Sequence, residues 1–270
     1  MKVLCSTGGI IGPRNQRNYR LLEAYSKELS CDGFELMMYK AWYEEIDDLI
    51  SYLKELQLYI PVVHCEKSIG SCIGASTTEE IKRGIAYFKE DCRLAKEISA
   101  QKLVLHLWGG MVSDSNFETN MYCYKELNDI AKQYGLELLI ENIVCNVKDP
   151  MARWCELVEC YPNIRLVFDT KMAAFHGQLE LLYQKEYEWL WKNGHICHYH
   201  IGDYGSTIMD WANLKSLPIG KGNIDFSSFA TFLKKTNYNG FLTLEGTSFN
   251  DNGEADIALL NQCFEIMRGW

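Results

Sequence analysis

Few prolines, no paired cysteine motif, no long apolar run and no excess of basic charge: each shortage removes a class of protein. With 5 prolines in 270 residues, 47% hydrophobic and 23% charged residues, the composition is that of an ordinary globular chain and argues against extended disorder. No apolar stretch approaches the roughly 20 residues that a membrane-spanning helix needs. The opening Met1-Lys-Val-Leu-Cys5 reads as a strand and not as a signal peptide, so a cytoplasmic protein with no membrane partner is expected. The 11 cysteines sit in scattered apolar contexts (Cys5, Cys92, Cys123, Cys197), and without a Cys-x-x-Cys pair to bind zinc or run redox chemistry they read as core filler. A balance of 27 basic against 36 acidic residues, net -9, disfavours a nucleic-acid surface that tracks phosphates.

What the chain does have is alternation. Strand-type segments fall at residues 2–7, 33–38, 58–64, 102–106, 136–142, 164–169, 195–203 and 241–244, and nearly all lead into a helical pattern. Helices are expected near 19–29, through Ile46, Leu49, Ile50 and Leu53, through Leu182 and Trp189, and over 255–268. Two capping boxes, Ser76-Thr-Thr-Glu79 and Ser115-Asn-Phe-Glu118, open helices running toward Ser99 and Tyr134. Asp149-Pro150 supplies a cap and the proline favoured at a first helical position. Asp225 caps a helix carrying Phe229, Phe232 and Leu233, and Asn239-Gly240 turns it into the last strand. The glycine-rich Gly8-Gly-Ile-Ile-Gly12 lacks the ending of a phosphate-binding loop and reads as a tight turn. No linker or shift in composition interrupts the series. A single α/β domain over 1–270 is expected, built as a (β/α)8 TIM barrel and not an open doubly wound sheet.

The ends of these strands are polar. His64, His106, Glu141, Asp169, His200 and Glu245 each follow a run too apolar for a surface strand, and carboxyl ends of barrel strands face the active site. Alternation sets His198 and His200 on one face, with Cys197 and Tyr199 on the other. Glu35, inside the second strand, either points toward the barrel mouth or is a half-buried, hydrogen-bonded acid. Three carboxylates crowded together repel in a low dielectric, and a divalent cation removes the conflict.

With these residues in view, the chain resembles the xylose isomerase-like TIM barrels, the sugar-phosphate isomerase/epimerase group that also includes the endonuclease IV branch. The most specific match is Pro218-Ile-Gly-Lys-Gly-Asn-Ile-Asp225 through Gly240-Phe-Leu-Thr-Leu-Glu245, supported by Ile140-Glu-Asn142, Val167-Phe-Asp169 and His200-Ile-Gly-Asp203. The resemblance implies one divalent ion (manganese, magnesium, cobalt or zinc) held by Glu141, Asp169, His200 and Glu245. It also implies proton transfer by Glu141 and Glu245 beside the carbonyl of a ketose or its phosphate. His64 and His106 would meet substrate hydroxyls or complete a second metal site; Glu35 and Trp108 join them as substrate-side candidates, although Trp108 also suits a packed loop aromatic. Lys67, Lys171 and Lys221 are scattered loop lysines that form no phosphate cluster. One departure stands out: Met172 occupies the position, three residues past Asp169, where many members carry histidine. The segment after His200 also lacks an Asp-x-His pair, which counts against endonuclease chemistry. A keto-polyol dehydratase, an endonuclease-like phosphodiesterase and a silent sugar-binding barrel are the alternatives, with homo-oligomerisation left open.

Overall fold

The computed structural model describes residues 1–250 and 252–270. Eight parallel strands close a barrel in sequence order: β1 (Lys2–Ser6), β2 (Gly33–Met37), β3 (Val62–His64), β4 (Lys102–Leu105), β5 (Glu137–Glu141), β6 (Arg165–Asp169), β7 (Ile196–Ile201) and β8 (Phe241–Leu244). Their sequences are near-continuous apolar runs because a barrel strand is covered on both faces. The helices are α1 (Leu22–Glu28), α2 (Ile46–Leu56), α3 (Ser68–Gly74), α4 (Thr78–Glu97), α5 (Gly110–Ser115), α6 (Phe117–Gln133), α7 (Pro150–Cys160), α8 (Thr170–Phe175), α9 (Trp189–Lys192), α10 (Phe226–Lys235) and α11 (Ile257–Arg268). No helix among the described residues is long and apolar enough to cross a membrane, and all 11 cysteines are free thiols.

The chain packs as two compact units, residues 1–35 with 168–270, and residues 36–167. In the first, β1 lies between β2 (Leu4 opposite Gly33) and β8 (Lys2 opposite Phe241), and β8 also pairs β7, with His200 opposite Thr243. Tyr199, on the outer face of β7, meets Phe229 of α10 and Tyr238 edge-on at 5.5 and 4.8 Å. Leu260, Phe264 and Met267 bury the inner side of α11. Each fully buried side chain of this size contributes about 1.5–3 kcal/mol.

In the second unit, β3, β4, β5 and β6 pair in order, with Glu141 opposite Val167 at the far end. Phe88 and Leu94 of α4, Leu127 and Ala131 of α6, and Trp154 and Leu157 of α7 are fully buried. Asp114 accepts both Nε and Nη2 of Arg153 (3.1 and 2.6 Å) and the backbone N–H of Val147 (2.7 Å), tying the loop after β5 to α5 and α7.

Several boundaries differ from expectation. β3 begins only at Val62, because Pro61 has no N–H for the ladder; its carbonyl instead takes the Gln101 and Lys102 N–H groups. Ser76 has φ 61 and cannot cap, so Thr77 caps α4 through the Glu80 N–H. Ser115 ends α5, and α6 starts after Asn116 with no side-chain cap. The stretch 19–21 is a 3-10 turn ahead of α1. The helix expected through Leu182 and Trp189 is two 3-10 turns and the single turn of α9, with no proline or glycine to explain the break.

Candidate metal centre and active site

Asp169, His200 and Glu245 come together in the first unit: each offers a ligand atom, all within 4.8 Å of one another. Asp169 ends β6 and caps α8, its Oδ1 accepting the Met172 N–H at 2.7 Å. Thr170 steadies that cap by donating to Gly202 O at 2.8 Å, just past β7. His200 aims Nδ1 at Glu245 Oε1, 3.5 Å away. Glu245 follows β8, where its N–H bonds Ile201 O. Its Oε1 is buried and takes no hydrogen bond among the described residues. Two carboxylate oxygens and one imidazole nitrogen, converging with a buried acceptor unsatisfied, form the N/O donor set that suits magnesium, manganese, cobalt or zinc.

Behind this group lies a fully buried polar network. Glu35 Oε2 accepts the Thr243 hydroxyl at 2.7 Å and faces His198 Nε2 at 2.9 Å, while Oε1 lies 2.9 Å from His200 Nε2. Burial alone would raise the Glu35 carboxyl, but the charge of His200, the hydrogen bonds of both histidines and the charge of His198 hold it well below the usual range. Glu35 is thus the buried, hydrogen-bonded acid of its two sequence readings, with 0% exposure.

The second unit assembles His64, His106 and Glu141, whose ligand atoms also lie within 4.8 Å of one another. Both histidines present Nε2 to Glu141 Oε2, at 3.2 and 2.8 Å, and their rings meet edge-on at 4.8 Å. His64 Nδ1 lies 2.8 Å from Cys65 O. A carbonyl only accepts, so Nδ1 carries the proton. Burial pushes His106 down to about 4, against the opposing pull of Glu141, so its ring is neutral at ordinary pH. Trp108 is fully buried, edge-on to Phe117 at 5.4 Å, with its N–H on Val144 O. Met172 is buried where the resemblance called for histidine, and His176 rests edge-on against Phe175 at 5.1 Å.

Two residues escaped the sequence reading as parts of the site. Thr243 was visible as the lone hydroxyl in an apolar strand, and its pairing with His200 gives it the role. Asp203 was quoted only as part of a motif. It is fully buried and accepts four backbone N–H groups, from Tyr204 (2.8 Å), Gly220 (2.9 Å), Gly222 (2.8 Å) and Ile224 (3.1 Å). That carboxylate is what shapes the Pro218–Asp225 loop. The glycine loop after β1 has its own reason: a Cβ on Gly9 would stand 2.9 Å from Gly246 O, next to Glu245.

Among curated proteins, the chain is 24% identical to the uncharacterized protein MJ1614 of Methanocaldococcus jannaschii over 233 residues, 83% of this chain and 82% of that one. Among solved structures it is similar to a D-tagatose 3-epimerase-like protein, with TM-score 0.74, 21% identity, and coverage of 100% of this chain and 96% of that one. A D-allulose 3-epimerase from Methylomonas sp., in complex with D-allulose, gives 0.70, 16%, 100% and 96%. At these identities the likeness is one of fold. The family model of the xylose isomerase-like TIM barrel matches residues 24–263, and with that match over most of its length, the chain belongs to the xylose isomerase-like TIM barrel family.

Proposed function

We propose that this chain, acting over residues 1–270 as one catalytic domain, is a divalent-metal-dependent isomerase or epimerase of a small ketose or ketose phosphate. The carrying observation is the convergence of Asp169, His200 and Glu245 on one buried point with a Glu245 oxygen unsatisfied. Glu141 is the proposed fourth ligand. Its assignment is carried over from the family resemblance, on the Ile140-Glu-Asn142 match. The similar structures described as D-tagatose 3-epimerase-like and D-allulose 3-epimerase support the substrate class.

A bound divalent ion would supply Lewis-acid polarisation of the substrate's carbonyl and hydroxyl oxygens. Glu141 and Glu245 then share the proton work: one carboxylate removes the proton beside the carbonyl, and the other returns one to the resulting enediolate. Return to the same carbon from the opposite face gives epimerisation; return to its neighbour gives aldose–ketose isomerisation. His106, neutral and only partly buried, is the proposed contact to a substrate hydroxyl, with His64 beside it. Glu35 and Trp108, both fully buried, act one step behind the substrate.

One observation favours a second reading. His64 and His106 both set Nε2 against the same Glu141 Oε2, at 3.2 and 2.8 Å, and the ligand atoms of all three residues lie within 4.8 Å of one another, a grouping that a second cation would suit. Metal titration separates the two: one ion per chain is expected, and two would assign His64, His106 and Glu141 a cation of their own. The acid–base assignment is tested by solvent deuterium uptake into a ketose panel. Glu245→Gln should slow exchange by about 10²–10⁴-fold while still binding metal. Full exchange in that variant overturns the assignment.

A further inference from the structure

We infer that Thr170 is the residue that sets the spacing between Asp169 and His200, a positioning role that rests on the proposed cation site. Asp169 is the last residue of β6 and Thr170 the first of α8. Gly202 lies two residues past His200, just beyond β7. The Thr170 hydroxyl meets both polar backbone groups of that glycine, donating to Gly202 O at 2.8 Å and accepting the Gly202 N–H at 3.1 Å. A hydroxyl has one proton to give and lone pairs to receive with, so the two bonds form together. Where the strands end, a side chain stands in for the next rung of the ladder. Each half of this clamp sits beside a proposed ligand: Thr170 adjoins Asp169, and only Ile201 separates Gly202 from His200.

The chain past His200 is held from three directions. Ile201 O accepts the Glu245 N–H at 2.8 Å, which ties it to the third proposed ligand, and Asp203 exchanges two backbone bonds with Leu217, at 2.8 and 3.0 Å. Both of those ties are made by backbone alone. Between them, the tie from Gly202 to the neighbour of Asp169 runs through a single hydroxyl. Thr170, Asp169 and His200 have 0% exposure and Gly202 is buried, so the two glycine groups have no solvent to turn to if the hydroxyl is lost. The glycine has little room to shift: a Cβ on it would stand 2.5 Å from Ser216 Oγ and 3.6 Å from Lys171 Cβ. Donors to a metal ion must lie within about 0.2 Å of their preferred distance. A hydroxyl that locks two ligand-bearing strand ends together therefore serves metal affinity without touching metal or substrate.

In the metal-free wild type, the Gly202 amide should exchange with solvent as slowly as the β7 amides before it. Exchange at the rate of an open loop overturns the clamp, whether or not any variant folds. Thr170→Val keeps the shape of the side chain and removes both bonds. It should weaken Mn²⁺ binding by about 10- to 100-fold in calorimetric titration and shift the visible bands of bound Co²⁺, with near-ultraviolet circular dichroism unchanged. Thr170→Ser, which keeps the hydroxyl, should hold both readouts at wild type; a folded Thr170→Ser as weak as Thr170→Val overturns the role of the hydroxyl. Wild-type Mn²⁺ affinity and an unshifted Co²⁺ spectrum in folded Thr170→Val reduce the clamp to a fold contact, overturn the positioning role and leave the cation site standing. Binding that Asp169→Asn leaves unchanged overturns the cation site, and this role with it.

Discussion

At Asp91 burial and hydrogen bonding act in opposite directions. The side chain is fully buried on α4, accepting the Tyr43 hydroxyl and the Glu66 N–H at 2.9 Å each, and so fastens the residue two beyond His64. Burial dominates and raises its carboxyl from 3.8 to about 8, with the Glu66 N–H and the Tyr43 hydroxyl opposing. Between those values the native chain keeps a proton that the unfolded chain has released. Stability from this group therefore falls as pH rises from about 4 to about 8 and is level beyond. Asp91→Asn removes the titration at the cost of an acceptor. Urea unfolding of both proteins across that range should show the wild type's advantage narrowing as pH rises; a constant gap would mean that Asp91 is ionised throughout. Residue chemistry of this kind was not legible in the sequence, where Asp91 is one acid among several on a helix. His64, His106 and Glu141 were legible because each closes an apolar run, whereas their sharing of one Glu141 oxygen depends on strand register that spacing alone does not give.

Among the elements, the loop from Pro218 to the cap at Asp225 shows most directly why a motif has its spelling. Asp203 holds three N–H groups of this loop and its own neighbour's. Gly220 has φ 79, a left-handed conformation that suits glycine. A Cβ on Gly222 would fall 2.4 Å from Asp203 Oδ1 and 2.6 Å from Tyr204 backbone atoms. The loop then delivers Asp225, which caps α10 through the Ser227 and Ser228 N–H groups, and α10 leads into β8 and Glu245. Removing the carboxylate strands four buried donors, so Asp203→Ala should cost at least about 3 kcal/mol in denaturant unfolding. Gly222→Ala should destabilise as well, and Asp203→Asn should lose less than Asp203→Ala; a neutral Asp203→Ala would leave the loop's shape to its glycines alone. Elements of this sort were largely legible: all eight strands and the caps at Asp149 and Asp225 follow from local pattern. Where the reading slipped, at β3, Ser76 and Ser115, a missing proline N–H or an unforeseen backbone conformation moved the boundary by a few residues.

At the scale of the whole chain, the decisive quantity separating the two metal chemistries is charge. A protein that nicks abasic DNA must hold a polyanion, and such binding draws on lysines and arginines that release condensed counterions. Here 36 acidic residues outnumber 27 basic ones, and many of the basic ones are engaged with carboxylates at the surface, among them Lys27 with Glu23, Lys54 with Glu97, Arg93 with Asp47 and Lys125 with Asp129. The family includes an endonuclease branch, and the His64–His106–Glu141 group keeps a multi-metal reading open at the level of the site. Long-range repulsion should still keep DNA away from it, and lowering salt strengthens that repulsion because it lengthens the screening distance. Manganese- or zinc-loaded protein should therefore neither retard an abasic-site duplex nor cut it, at low or at moderate salt. Retardation that weakens steeply with added salt, accompanied by nicking, would show that a local basic track overrides the net charge, and would move the assignment from ketose chemistry to phosphodiester hydrolysis.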